Sequence, residues 1–226
     1  MADFTLEQDV FKTNAGELNI FFVGHGSLYL TYGGKTIHID PVAELADYAR
    51  LPKADLVLIT HEHSDHLDRN AIMAIEKDNT HFIVSEKCAH ELGFGEILRN
   101  GDRTQYDGIK VEAVPAYNLQ HKRPDGAPFH PKGEGNGYVL TFGDRRVYIA
   151  GDTENVLEMA NLKDIDIAFL PMNLPYTMTP EMVADAARVI KPKILYPYHY
   201  GKTDVERLLT LLQDLPDTEI RVRKMA

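Results

Sequence analysis

The chain, residues 1–226, is 44% hydrophobic and 26% charged, which suits one large domain or two small ones and excludes a disordered chain. A formal charge of −10 argues against broad electrostatic capture of nucleic acid. Cys88 is the only cysteine, and the acidic N-terminal stretch MADFTLEQDV lacks an apolar core. No run approaches the roughly 18–20 apolar residues of a membrane helix, so a cytoplasmic protein with no signal peptide is expected.

Strand patterns open the chain at LNIFFV (18–23), SLYLTY (27–32) and KTIHID (35–40), with Gly33-Gly34 as a two-residue hairpin turn. A helix-like stretch at 43–50 leads to the apolar run DLVLIT (55–60). A helix (70–77), the strand HFIVS (81–85), a short helix at 86–91 and the strand IKVEAV (109–114) follow. YVLTF (138–142) and RVYIA (146–150) form a second hairpin. DIAFLP (166–171) precedes a helix starting at Pro180, whose fixed φ suits a first helical turn. KILYPY (193–198), a helix over 203–213 and the strand EIRVR (219–223) complete the chain.

The second half restates the first. YLTYGGKTIHI at 29–39 aligns with VLTFGDRRVYI at 139–149, and DLVLIT at 55–60 aligns with DIAFLP at 166–171, at offsets of 110 and 111 residues. Buried strands and hairpins resemble one another by nature, but the steady offset favours an internal duplication. Residues 115–136, PAYNLQHKRPDGAPFHPKGEGN, have no counterpart in the first half. This stretch, rich in proline and glycine, carries His121, His130, Lys122, Arg123 and Lys132, and reads as a loop over a functional site.

The densest chemistry lies at THEHSDHLD, residues 60–68. An extended backbone puts residues two apart on one side, so His61 and His63 can converge on one ion, with Asp65 and His66 turned elsewhere by the chain that follows. Imidazole and carboxylate suit zinc, manganese or iron. Asp152 and His199 each sit just past an expected strand, where open sheets present functional groups. Asp40, at nearly the repeat-equivalent position of Asp152, is expected to orient a ligand histidine rather than bind metal.

A strand feeding His61-x-His63-x-Asp65-His66 resembles the metallo-β-lactamase superfamily, and the resemblance spans nearly the whole chain. It implies an α/β four-layer αββα sandwich of two similar halves, forming a single metallo-β-lactamase-like domain. It further implies that Asp152, in the Gly-Asp at a strand end, bridges two metals, and that His199 supplies the last histidine. Gly24-His25-Gly26-Ser27 is similar to the Gly-His-x-Ser stretch of a hydrolase subgroup that includes L-ascorbate-6-phosphate lactonase-like proteins. There His25 is expected near the metal pocket.

One position departs from the family pattern. Where a third histidine for the first metal is usual, this chain has Tyr117, after Val114-Pro115-Ala116. His130 or His121 could complete that metal, Asp152 and water could suffice beside His61 and His63, or only the second position could fill. A dinuclear site with His130 as the substitute is favoured.

Two divalent ions, zinc in the first instance and otherwise manganese or iron, imply a metal-bound hydroxide acting on a small ester, lactone or phosphodiester. Asp65 would be the catalytic residue as well as a ligand, with Tyr117, His25 and the basic loop residues touching a small, anionic substrate. Two alternatives stand beside this one. A nuclease or phosphodiesterase would act on RNA or nucleotides, although an acidic chain makes nucleic acid a poor partner. A non-hydrolytic protein would use the metal for redox chemistry or regulation.

Overall fold

In a computed structural model describing residues 5–226, the apolar runs resolve into two mixed sheets that share one plan. The first sheet takes its strands in chain order: β1 (Glu7–Thr13), β2 (Gly16–Gly24), β3 (Ser27–Tyr32), β4 (Lys35–Ile39), β5 (Leu56–Ile59), β6 (His81–Val84) and β7 (Glu96–Ile97). The second does the same with β8 (Arg103–Tyr106), β9 (Ile109–Ala116), β10 (Gly135–Phe142), β11 (Arg145–Ile149), β12 (Ile167–Pro171), β13 (Ile194–Tyr198) and β14 (Glu219–Ile220). In each sheet the first three pairings are antiparallel and the last three parallel. Identical strand order and pairing sense in both halves agree with the repeat seen in the sequence.

Alternation along the strands sets the layers. Ile37 and Ile39 of β4 face Val147 and Ile149 of β11 in a core between the sheets, joined by Leu18, Leu30, Tyr138 and Phe169. The outer face of the first sheet is covered by α1 (Arg69–Ile75) and α2 (Glu86–Leu92), which bury Ile72, Ile75 and Leu92 beside Val57 and Ile59. The second is covered by α3 (Pro180–Ile190) and α4 (Val205–Leu211), with Val183, Ala187 and Leu208 beside Ala168 and Leu195. The result is the expected four-layer αββα sandwich. No helix among the described residues is long and apolar enough to cross a membrane.

Local departures have local causes. The stretch 43–50 is not an α-helix. Only Tyr48–Arg50 coil, in one 3-10 turn capped by the Asp47 side chain, and Leu51 is extended ahead of Pro52. Of MADFTLEQDV, residues 1–4 lie outside the described residues, while Glu7 onward enters β1, a half-exposed strand too polar for its pattern to announce. Only Glu219–Ile220 of EIRVR pairs in the sheet. Gly33 and Gly34 take φ of 57° and 76°, closing the turn in which Tyr32 faces Lys35, as the sequence suggests.

The outward side of β4 carries a buried polar group, His38. It lies between Tyr29 and Tyr48, and its Nε2 donates to the Pro52 carbonyl at 3.0 Å. Burial pushes its pKa down to about 4, against the pull of that carbonyl. The unfolded chain therefore takes up this proton first, as pH falls through the ordinary histidine value. The stability difference between wild type and His38→Gln is full above pH 6.5 and shrinks as pH falls toward 4. By pH 4.5 the loss is expected to reach about 2–3 kcal/mol, read from denaturant unfolding across pH.

Candidate metal centre

Strand ends deliver the ligand candidates to one edge of the sandwich. His61, His63, Asp65 and His66 follow β5, Asp40 follows β4, and His25 lies in the turn between β2 and β3. Asp152 follows β11, His199 follows β13, and His130 comes from the long connection between β9 and β10. Three of them, His25, Asp40 and His199, adopt left-handed backbone with φ of 51°, 45° and 46°. Strain of this kind in non-glycine residues is concentrated at functional sites.

The donors form two groups. In one, His61 Nε2 and His63 Nδ1 are 3.1 Å apart, and His130 Nε2 is 3.2 Å from the same His63 atom. In the other, Asp65, His66 and His199 converge, with Asp65 Oδ2 lying 4.0 Å from His66 Nε2 and 3.5 Å from His199 Nε2. Asp152 lies between them. Its Oδ2 is 3.2 Å from His130 Nε2 and 3.8 Å from His61 Nε2, while its Oδ1 is 3.4 Å from His66 Nε2 and 3.5 Å from His199 Nε2. Donors about 2.0–2.1 Å from a tetrahedral ion stand roughly 3.3–3.4 Å from one another, so these spacings suit a metal in each group.

Buried polar atoms point the same way. His66 Nε2, His199 Nε2 and Asp152 Oδ1 have no hydrogen-bond partner among the described residues. Each such atom costs about 1–3 kcal/mol unless something satisfies it, and all three meet at one point. Burial works against charge on Asp152, yet His199 and His66 outweigh it and hold its carboxyl well below the usual range. Burial likewise opposes protonation of His66, but Asp152 and then Asp40 raise its pKa to about 9. The same carboxylate field would attract a cation. Burial, followed by the facing His66, pushes His61 well below the ordinary histidine value, into the neutral form that binds metal.

The surroundings fix which nitrogen faces inward. Asp40 accepts from His66 Nδ1 at 2.8 Å and from the Thr60 hydroxyl at 2.7 Å, and that hydroxyl in turn accepts from His61 Nδ1 at 3.0 Å. Asn118 Oδ1 accepts from both the backbone N–H (2.9 Å) and Nδ1 (2.6 Å) of His130. In all three histidines Nδ1 is taken by an outside acceptor, so Nε2 is the nitrogen that faces the cluster. Asn118 is itself held by Glu154, a buried carboxylate that also accepts from the backbone N–H groups of Leu119, Gln120 and His121 at 2.6–2.7 Å.

Gly24-His25-Gly26-Ser27 packs against this centre. A Cβ on Gly26 would lie 2.7 Å from His66 Cε1, so only glycine lets the turn approach that ring. His25 Nε2 sits 3.2 Å from Asp65 Oδ2, its ring is 3.6 Å from that of His199, and its carbonyl accepts from His199 N–H at 3.0 Å. The Ser27 hydroxyl donates to the Asp40 carbonyl.

One expectation fails, and one alternative falls away. Tyr117 does not reach the site: its ring packs under the second sheet and its hydroxyl donates to Glu158 at 2.9 Å, away from the cluster. His121 is drawn off by Glu154, 2.8 Å from its Nδ1, and leaves the metal groups to His130. Thr60, Asn118 and Glu154 escaped the sequence reading. Thr60 adjoins the signature, but nothing in the chain marks Asn118 or Glu154 as supports for a histidine twelve or more residues away.

A profile described as a beta-lactamase superfamily domain matches residues 19–199. A Thermococcus onnurineus protein named UPF0173 metal-dependent hydrolase is 32% identical, the match covering 81% of this chain and 85% of that one. A crystal structure of a Parabacteroides distasonis protein is 52% identical and superposes with a TM-score of 0.94, covering 98% of this chain and 100% of that one. A metallo hydrolase of Ignicoccus hospitalis, 23% identical, shares the fold with a TM-score of 0.76 over 92% of this chain and 96% of that one.

Proposed function

Because the chain belongs to the metallo-β-lactamase superfamily, we propose that it is a metal-dependent hydrolase with two divalent ions, zinc first among them, acting on a small ester, lactone or phosphodiester. The observation that carries this reading is the convergence of oriented donors from both halves, with each oxygen of Asp152 turned to a different group. His61, His63 and His130 would hold one ion, and Asp65, His66 and His199 the other, with Asp152 shared. Such ions supply Lewis acidity and acidify water toward a pKa of about 7.

The protein's own part is to place and move protons. Asp65 is the most exposed of the acids, its side chain 49% open to solvent, and it faces the cavity over the cluster. Its Oδ2 is turned to His66 and His199. Its other oxygen, Oδ1, is the one left to take the proton of the attacking water and pass it to the departing oxygen. The water oxygen joins the acyl or phosphoryl centre, the C–O or P–O bond breaks, and the alcohol leaves protonated. His25 Nε2, hydrogen-bonded to Oδ2, holds the carboxylate in place. A cytoplasmic location belongs to this reading too, in keeping with a lone, buried and unpaired Cys88.

Metal analysis and a panel of 4-nitrophenyl esters, lactones and bis(4-nitrophenyl) phosphate provide the test. Two ions per chain are expected, with hydrolysis lost on chelation and restored by Zn²⁺ or Mn²⁺. Asp65→Ala should lower turnover by about 10²–10⁴-fold. A fully loaded protein that hydrolyses none of these substrates, or an Asp65→Ala variant of undiminished rate, would count against the reading.

A further inference from the structure

We propose that Arg123 anchors an anionic group of the substrate, so that the molecule cleaved carries a carboxylate or phosphate away from the bond that breaks. The inference rests on the hydrolytic reading above for what happens at the metals, but not for binding. A cavity of about 370 Å³ opens over the cluster, the size of a small-molecule site. Its floor includes His63, Asp65, His130, Asp152 and His199, and its walls include Arg123, Phe129, Asn173 and Tyr176.

Arg123 is the basic side chain at this cavity, and it is held there. Its backbone N–H donates to the Ala127 carbonyl at 2.7 Å, and its carbonyl accepts from Gly126 at 2.9 Å, in a tight turn of the long loop. The guanidinium lies 5.1 Å from the centre of the Phe129 ring, and that ring meets Tyr176 edge-on at 5.1 Å. One Nη donates weakly to the Phe129 carbonyl, at 3.4 Å. No carboxylate pairs with Arg123 among the described residues, whereas Lys132 of the same loop is paired with Glu158 at 2.6 Å.

A guanidinium has five donors in a planar fork that matches carboxylate and phosphate oxygens two at a time. The contact with the Phe129 ring and carbonyl keeps that fork beside the cavity, and most of its donors have no acceptor among the described residues. In an acidic protein, a cation left unpaired at the wall of a reaction cavity can select among substrates. A substrate whose reacting group sits at the metals would reach this wall with its other end.

The test uses metal-loaded protein and two probes, benzoate and phenylphosphonate, with binding measured by calorimetry. Arg123→Ala is expected to weaken at least one probe by about 10- to 100-fold. Arg123→Lys should recover part of that loss, since it keeps the charge but not the fork. Lys53→Ala removes the same charge at an exposed side chain that donates to the Ala74 carbonyl, outside the cavity lining, and should bind as wild type does. The probe that depends more on Arg123 identifies the anion as carboxylate or phosphate. Equal binding by wild type and Arg123→Ala, an equal loss in Lys53→Ala, or no binding to wild type overturns the proposal.

A kinetic arm separates this inference from the hydrolytic reading. Mono-4-nitrophenyl succinate is compared with 4-nitrophenyl acetate, and Arg123→Ala should raise KM for the anionic ester alone while leaving kcat nearly unchanged. Failure to cleave either ester, with probe binding still dependent on Arg123, weighs against hydrolysis and leaves the anchor standing.

Discussion

On the proposed two-ion reading, replacing Asp152 by alanine is expected to reduce the metal content to fewer than one ion per chain and to slow hydrolysis on the order of a thousandfold. The size of the effect follows from position. Asp152 alone has one oxygen in each group of donors, and the two oxygens stand 3.2 Å from His130 and 3.5 Å from His199. Removing any single histidine takes one donor from one group, while removing this carboxylate takes a donor from both along with a full negative charge. In the proposed two-ion site, that charge would offset the repulsion between the cations. Asp152→Asn separates the contributions, since it keeps the shape and one oxygen but loses the charge, and it should retain more metal than the alanine variant. Metal analysis after gel filtration, with circular dichroism to verify folding, reads the result. An Asp152→Ala protein that still holds two ions would remove the bridging role.

How much of this was legible beforehand depended on the range of the interaction. The β3–β4 hairpin was legible because Gly33-Gly34 fixes both the turn and the register within two residues. The duplication was legible because β3, β4 and β5 recur as β10, β11 and β12 at a steady offset. Residues 43–50 misled because their apolar spacing looked helical, and the extended residue before Pro52 limited the coil to a single turn. At the site, His61, His63, Asp65 and His66 stood out because they are neighbours in sequence. Asp152 and His199 were found by their place after strands and by the family resemblance. The direction of Tyr117 was not legible, because it depends on Glu158, about forty residues further on. Nor was the support of His130, which runs through Asn118 to Glu154, a contact made only once the loop has folded over the second sheet.

That support leads to the second large effect. His130→Ala is expected to leave about one ion per chain, because His61 and His63 then keep only a share of Asp152. Glu154→Gln leaves His130 in the chain but removes the charge that gathers the N–H groups of Leu119, Gln120 and His121 and steadies Asn118. Its expected consequence is milder, about 10–100-fold weaker binding of one ion in a chelator competition, with the other unaffected. The two variants thus distinguish a ligand from its support. A third change addresses Tyr117, at the position where the family resemblance implies a histidine. In the His130→Ala background, Tyr117→His is expected to restore neither metal nor activity, because that side chain points toward Glu158 and Lys132 rather than the cluster. Recovery of the second ion by that double variant would show that position 117 can still reach the metals. Two ions retained in His130→Ala would show that His130 is not what completes the first group.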